Sequence, residues 1–298
     1  MTSILVAGVA VLDFVFHMDQ FPRLPEKYRA SGAAINGGGN AANAAVAIAR
    51  LDGDAHLASR LGDDQIADMI LADLQHEGVR TELVKRHEGR RSSFSSIYID
   101  STGERQIMNY RDTELPTTGA WMADRAPASL TAILADTRWG DGALAAMELA
   151  KARGIPGVMD AEAPVLEAEG AVQAASHVAF SAQGALDFTG LSNVEQAAMK
   201  ADTMVPGRVI VTDGENGVAM AQHGAVTWFP AFDIRPVDTL GAGDVWHGAF
   251  TLALSEGMDE AEAIHFASAA AAIKCERKGG RDGAPKRQEV SEFLRDRT

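Results

Sequence analysis

The spacing of apolar positions changes several times along this chain, and each change marks an element. Residues 3–10 (SILVAGVA) form a short, partly β-branched apolar run ending near Gly8. Such a run predicts an interior parallel strand, buried on both faces. Residues 40–51 (NAANAAVAIARL) carry apolar positions at helical spacing with no proline or glycine, which predicts a helix. Residues 94–100 and 105–110 alternate on either side of the loop STGE, the pattern of a β-hairpin. From about residue 130 strands and helices alternate. TAILADT (131–137) is a strand, DGALAAMELAKARG (141–154) a helix closed by Gly154, and IPGVMD (155–160) a strand. HVAFS and RVIVTD are further strands, 216–229 a hairpin, and 242–256, 259–275 and 287–296 helices. This order predicts an α/β fold in three layers, a mostly parallel sheet covered by helices on both faces. One domain is expected over 1–298, with no repeat, low-complexity tract or long linker. Two antiparallel-looking pieces, about 14–36 and 90–111, interrupt the alternation and predict a small β-sheet standing off the body as a lid.

Composition narrows the function. Of 298 residues, 46% are hydrophobic and 23% charged, a mix that excludes a disordered chain and suffices for a large core. Lys and Arg number 27 against 41 Asp and Glu, a net charge of −14. An acidic surface repels phosphate backbones, so no nucleic-acid partner is expected. It leaves room for one local basic pocket. Cys275 is the single cysteine, which excludes an intrachain disulfide framework and argues against a cysteine-rich zinc site. The apolar start MTSILVAGVAVLDFVF lacks a basic segment and meets Asp13 early, so it reads as a buried strand rather than a signal peptide. No uncharged apolar run reaches the roughly 18 residues of a membrane span. The expected compartment is the cytoplasm, with no membrane partner.

The strongest local signal is Val237-Asp238-Thr239-Leu240-Gly241-Ala242-Gly243-Asp244, which leads into the apolar stretch Val245–Phe250. Small residues let a ligand approach the backbone, and the first amides of a helix have no partner within it. With the helix dipole they form an anion hole. A carboxylate there opposes simple phosphate binding. It fits a base that takes the proton of a hydroxyl attacking a phosphoryl group. On spacing alone, a glycine-rich turn with a helix-start aspartate is an equally good reading.

The segment Asp238–Asp244 followed by a helix resembles the C-terminal signature of the ribokinase-like (PfkB) carbohydrate kinases. Gly37-Gly38-Gly39-Asn40-Ala41-Ala42-Asn43-Ala44-Ala45, running into a helix that ends Ala49-Arg50-Leu51, resembles the N-terminal signature. Gly62-Asp63-Asp64 and Thr212-Asp213-Gly214-Glu215-Asn216-Gly217 follow in the family's order. The resemblance covers about residues 3–296 and implies the ribokinase-like three-layer fold with a β-sheet lid. It implies ATP and Mg²⁺ as cofactors and Asp244 as the general base. The amides of Gly241, Ala242 and Gly243 would hold the γ-phosphate as charge develops. Asp13, Gly38, Gly39 and Asn43 would face the sugar, and Thr212, Gly214, Gly217 and Gly243 the nucleotide. Each has a plainer alternative: a strand-end turn for Asp13, a helix cap for Asn43, a β-turn for Gly214 and Gly217.

Two departures from the family pattern concern metals. Many relatives carry Asn-x-x-Glu to position Mg²⁺ waters, whereas this chain has Ser181-Ala182-Gln183-Gly184. Asp160, at a strand end, is left to contribute through water. The resemblance also implies a monovalent cation, K⁺, near Asp238 and Thr239, with carbonyls from the loop 278–283. Gly283 stands there where many relatives carry serine.

The chain is most similar to one branch, the 6-deoxy-6-sulfofructose kinases of sulfoquinovose breakdown. The stretches concerned are Pro25–Tyr28, Gly103–Arg105, Ile107–Tyr110, Ala135–Ala143, Phe180–Gly184 and Lys274–Arg281. A sulfonate is a permanent tetrahedral anion that wants a few fixed donors. Lys27, Asn109 and Arg138 would supply an ammonium, an amide and a guanidinium fork. The plainer alternatives are an ion pair of Arg138 with Asp136 or Asp141 and a solvated Lys27. The expected reaction is phosphorylation of the C1 hydroxyl. Competing readings are a kinase for fructose 6-phosphate, a neutral ketose or ribose, a nucleoside or vitamin kinase, and a non-catalytic sugar-binding protein. A homodimer through the lid is expected, because an isolated small sheet leaves open edges. His247 and Cys275 read as packing residues, and Trp139 as either a wall of the sugar pocket or core.

Overall fold

The computed structural model describes residues 2–297. In chain order its strands are β1 (Ser3–Ala7), β2 (Val11–His17), β3 (Gly32–Gly38), β4 (Asp54–Gly62), β5 (Arg80–His87), β6 (Phe94–Ile99), β7 (Arg105–Tyr110), β8 (Ala132–Asp136), β9 (Gly157–Ala161), β10 (His177–Ser181), β11 (Arg208–Thr212), β12 (Val218–Gln222) and β13 (Ala225–Phe229). The helices are α1 (Asn40–Arg50), α2 (Gln65–His76), α3 (Met122–Arg125), α4 (Gly140–Arg153), α5 (Glu169–Ala174), α6 (Ala182–Thr189), α7 (Val194–Asp202), α8 (Ala242–Ser255), α9 (Glu260–Cys275) and α10 (Arg287–Arg295).

The large sheet has the order β13-β12-β11-β10-β9-β8-β1-β4-β5. It is parallel except for the hairpin β12–β13 at one edge. Every residue of β1, β8 and β9 is buried, as strands covered on both faces require. Alternate residues of β1 serve different cores. Ile4 and Val6 pack with α1, α2, α8, α9 and α10, while Leu5 and Ala7 pack with α3 to α7. The three layers follow from this alternation.

The expected strand over 3–10 stops at Ala7. A side chain at Gly8 would overlap the Asp136 carboxylate, and the amide of Val9 donates to Asp136 Oδ2 at 2.9 Å. The chain therefore turns out of the large sheet and restarts at Val11 in the small one. The small sheet has the order β3-β2-β6-β7. Its outer pairs are antiparallel, but β2 and β6, which join the two sequence pieces, run parallel. It begins earlier than residue 14 and extends past 36, to Gly38. Its register places Asn36, Asp13, Ser95 and Asn109 in one row across four strands. Among the described residues no helix is long and apolar enough to cross a membrane.

Candidate active site

The site is built where the starts of α1 and α8 meet beneath the small sheet. Gly248 makes the meeting close, since a Cβ there would lie 2.6 Å from the Ala44 carbonyl oxygen. Asn43 and Asp244, both in first turns, are thereby brought together, and Asn43 Nδ2 donates to Asp244 Oδ2 at 2.7 Å. Gly39 precedes α1 with φ 97° and lies against the Val9 carbonyl, which accepts the amide of Ala42 at 3.3 Å. Gly241 precedes α8 with φ 77°, a left-handed conformation that glycine adopts without steric cost. The amide of Ala242 closes a turn onto the Thr239 carbonyl at 3.1 Å. Gly243 and Asp244 follow in the first turn, where helix geometry gives their amides no internal partner.

Dense surroundings and the nearby Asp160 hold the Asp244 carboxyl well above the ordinary carboxylate value, against the opposing Asn43 amide. Asp160 is itself buried and raised by burial, an effect countered by His247, whose Nδ1 lies 3.4 Å away. Asn40 links Asp160 to Glu162, donating to their carboxylates at 3.3 and 3.0 Å. Asp136 is buried below α1 and accepts the amides of Val9, Ala41 and Arg138. Burial pushes it up to about 7, with Asp160 adding to the shift and the amides opposing it.

The small sheet supplies the roof. Asp13 lies against Gly38, where a Cβ would sit 2.6 Å from its Oδ2, so only glycine fits beside it. Burial raises the Asp13 carboxyl, opposed by a hydrogen bond from Ser95 and by the charge of Arg281. Asn109, next in the same row, donates to Ser95 Oγ at 3.2 Å. Arg281, whose guanidinium fills the space above Gly37, pairs with Asp73 and is buried. Sequence reading gave the Arg281 side chain no role, because its loop position says nothing of what it packs on.

Arg138, just past β8, pairs with neither of the expected aspartates through its side chain; its Nη2 lies 2.7 Å from Glu162 Oε2. Its carbonyl accepts Arg111 Nη2 at 2.8 Å, which ties it to the strand bearing Asn109. Arg60 stacks over the Trp139 ring at 4.8 Å, and burial, with the charge of Arg111, lowers it to about 10. Arg111 and Arg60 thus lie against the segment Arg138–Trp139 just past β8. Arg60 and Arg111 were missed because they are far apart in sequence and match no motif. Lys27 lies in the exposed loop between β2 and β3, outside this network.

Of the residues expected at the nucleotide, Thr212 ends β11, and the amide of Asp213 returns to the Gly217 carbonyl at 2.8 Å. Gly217 has φ 97° and is pressed against the Phe229 carbonyl, while Gly214, at φ 52°, borders open space. At the position of the missing Asn-x-x-Glu glutamate, a side chain on Gly184 would overlap the Ala161 carbonyl, and Ser181 Oγ caps α6 instead. The nearby carboxylates are Asp160 and Glu162. They suit a Mg²⁺ that arrives on ATP phosphates and keeps its waters.

A monovalent cation at Asp238 and Thr239 does not fit. The Asp238 carbonyl accepts the ammonium of the buried Lys274 at 2.6 Å. The Asp238 carboxylate accepts the amides of Leu240, Gly279 and Gly280, and with Lys274 these outweigh burial and keep it below its ordinary value.

The sequence profile of the pfkB family carbohydrate kinases matches residues 1–287. A fructokinase of Zea mays is 31% identical, the alignment covering 86% of this chain and 88% of that protein. A ribokinase of Bacillus subtilis is 28% identical, covering 99% and 100%. A crystal structure from Agrobacterium tumefaciens, assigned as a ribokinase, superposes with TM-score 0.91 at 36% identity, covering 99% and 98%. An Arabidopsis thaliana ribokinase complexed with ribose and ATP shares the fold, with TM-score 0.87 at 22% identity over 99% of both chains. The chain therefore belongs to the pfkB family of carbohydrate kinases, ATP-dependent enzymes that phosphorylate sugars.

Proposed function

We propose that this kinase transfers the γ-phosphoryl group of ATP to the C1 hydroxyl of 6-deoxy-6-sulfofructose. The observation that carries the acceptor is Arg138, whose guanidinium is held by Glu162 and whose backbone is held by Arg111, just past the strand that bears Asn109. A sugar with a tetrahedral anion at one end and a reactive hydroxyl at the other spans such a site. Arg138 and Asn109 bind the sulfonate, and Lys27 reaches it when its loop folds over the acceptor. Asp13 and Asn43 hold ring hydroxyls, and Gly38 and Gly39 admit the sugar to the backbone.

Asp244 takes the proton of the attacking hydroxyl. Its raised affinity for a proton suits it to that task at neutral pH. The amides of Gly241 and Gly243 stabilise charge on the transferring group, whereas that of Ala242 is held by the Thr239 carbonyl. Mg²⁺, when bound with ATP, neutralises phosphate charge. Thr212, Gly214 and Gly217 border the nucleotide. The small sheet is the lid, which excludes water and so protects ATP from hydrolysis.

The lid also supports a homodimer. Ile107 and Met108 on edge strand β7 are 58% and 72% exposed, and Ile35 on the opposite edge strand 55%. Exposed apolar residues on open edges favour pairing with a second copy. The compartment we assign is the cytoplasm.

Fructose 6-phosphate presents a similar anion and is the rival acceptor. ATP consumption is compared over sulfofructose, fructose 6-phosphate, fructose and ribose, for the wild type beside Arg138→Ala and Asp244→Asn. Highest kcat/KM for sulfofructose, lost in Arg138→Ala, supports the assignment. Equal or better efficiency with fructose 6-phosphate refutes it, and absence of turnover with every acceptor refutes catalysis.

A further inference from the structure

We infer that the ammonium group of Lys274 is a built-in monovalent cation beside the anion hole, making turnover independent of K⁺. Lys274 lies in the last turn of α9, and its side chain is 0% exposed. A lysine is rarely buried without partners, because removing its charge from water is costly. Here Nζ lies 2.6 Å from the Asp238 carbonyl and 3.7 Å from Oδ2 of the same residue. Asp238 is one of the two residues beside which the family resemblance implies a dissolved cation. The C-terminal end of α9 adds the negative end of a helix dipole.

The neighbouring oxygens are also taken. The Cys275 carbonyl accepts the amides of Val237 and Asp238 at 2.7 and 3.1 Å. The Arg281 and Asp282 carbonyls accept Arg50 Nη1 at 3.3 and 2.7 Å. A K⁺ ion on the Asp238 carbonyl would press a second positive charge against Nζ with little water to screen them. The two cations exclude each other, and the tethered one does not dissociate.

The charge reaches the chemistry through the loop it holds. Asp238 fastens Leu240 through Oδ1 and Gly279 and Gly280 through Oδ2, at 3.0, 3.2 and 3.1 Å. Gly241 and the first turn of α8 follow directly. Lys274 is thus a positioning residue: it sets the conformation of the anion hole and contributes positive charge behind it, without touching the transferred group.

The inference rests on the kinase reading, so its test has an arm that needs no turnover. Wild type and Lys274→Ala are assayed in tetramethylammonium buffer with and without KCl, at constant ionic strength. Wild-type kcat and KM for ATP are expected to change by less than about twofold. Lys274→Ala is expected to lose about tenfold or more in kcat without K⁺, and to recover saturably with K⁺ or NH₄⁺. Lys274→Met fills the space without charge and is expected to stay impaired under all salts. In parallel, melting of the ADP-bound proteins is followed. K⁺ should leave the wild-type midpoint unchanged and raise that of Lys274→Ala. Severalfold stimulation of the wild type by K⁺, or a wild-type midpoint raised by K⁺, overturns the inference. So does a folded Lys274→Ala that is fully active without K⁺, or whose loss no cation restores. If Lys274→Ala does not fold, the wild-type salt response decides alone.

Discussion

Asn43 and Asp244, 201 positions apart, share a 2.7 Å hydrogen bond that joins the first turn of α1 to the first turn of α8. The amide end of Asn43 is committed to the carboxylate. Its Oδ1 is buried without a hydrogen-bond partner among the described residues, and so is available to a sugar hydroxyl. One side chain thus connects the proposed base to the proposed acceptor. Asp244→Asn keeps the shape but cannot take a proton. Its kcat should fall by about 10³-fold, within the range for loss of a general base, while KM for ATP changes little. ADP release measured under saturating substrates checks this.

The pH profile follows from the same pair. The base acts as the ionised carboxylate, and its surroundings raise its proton affinity. Activity should therefore rise with pH through an apparent pKa above the ordinary carboxylate range. Asn43 donates to the ionised form and favours it. Asn43→Ala removes that support, so the acid limb of kcat/KM should move to higher pH. A limb that stays in place or moves lower would show that a different group titrates.

Arg138 is held from two sides, by Glu162 through Nη2 and by Arg111 through its carbonyl. A guanidinium fixed in this way recognises a tetrahedral anion with little ordering cost. Arg138→Ala should lower kcat/KM for sulfofructose by about 10²-fold, the scale of a lost charge-assisted pair. Efficiency with fructose should change by no more than a few-fold. An equal loss with both acceptors would place Arg138 in the framework of the site rather than in anion recognition.

The main sheet was legible because apolar runs such as residues 3–7 and 132–136 must be buried on both sides. The helices α1, α8, α9 and α10 were legible because their apolar spacing and boundaries agree. The stretch 54–87, which holds β4, α2 and β5, gave no clear signal. β5 is an edge strand reading RTELVKRH, whose exposed positions are as polar as those of a loop. The glycine-rich signatures located both helix starts of the site. The ion pairs Arg138–Glu162 and Lys274–Asp238 were not legible. Each depends on which of several nearby carboxylates or carbonyls the fold brings within reach, and spacing carries no such information. Lys274 belongs to an alanine-rich helix, where a lysine ordinarily lies on the solvated face.

Gly184 tests whether the absence of the Asn-x-x-Glu glutamate is a matter of packing. A side chain there meets the Ala161 carbonyl, which belongs to the interior strand β9 and has no room to retreat. Gly184→Glu should therefore destabilise the protein by about 1–3 kcal/mol, as overpacking does, instead of adding a useful carboxylate. Chemical denaturation measures the change. A variant as stable as the wild type would mean that β9 and α6 separate easily.

Acid sensitivity should arise partly from His177, at the far end of β10 from the cleft. Its ring is edge-on to Phe250 at 6.0 Å, and it is pushed from its ordinary value of 6.5 down to about 4. Burial is the main cause, with Arg208 adding to it and Glu260 opposing. Because the folded-state value lies below the unfolded one, the unfolded chain binds the proton first on acidification. The stability is complete above about pH 6.5 and is lost as the pH falls toward 4. The loss amounts to about 1–3 kcal/mol, at roughly 1.4 kcal/mol per pH unit of difference. His177→Phe preserves a ring beside Phe250 but carries no titrating group. It gives up the contact between Nδ1 and Ser176 Oγ at 2.9 Å, so its melting midpoint at pH 7.5 should not exceed that of the wild type. Between pH 7.5 and pH 5, however, the midpoint of the variant should fall less steeply. Equal slopes would assign the acid sensitivity to other groups, since a residue that only packs cannot alter the pH dependence of stability.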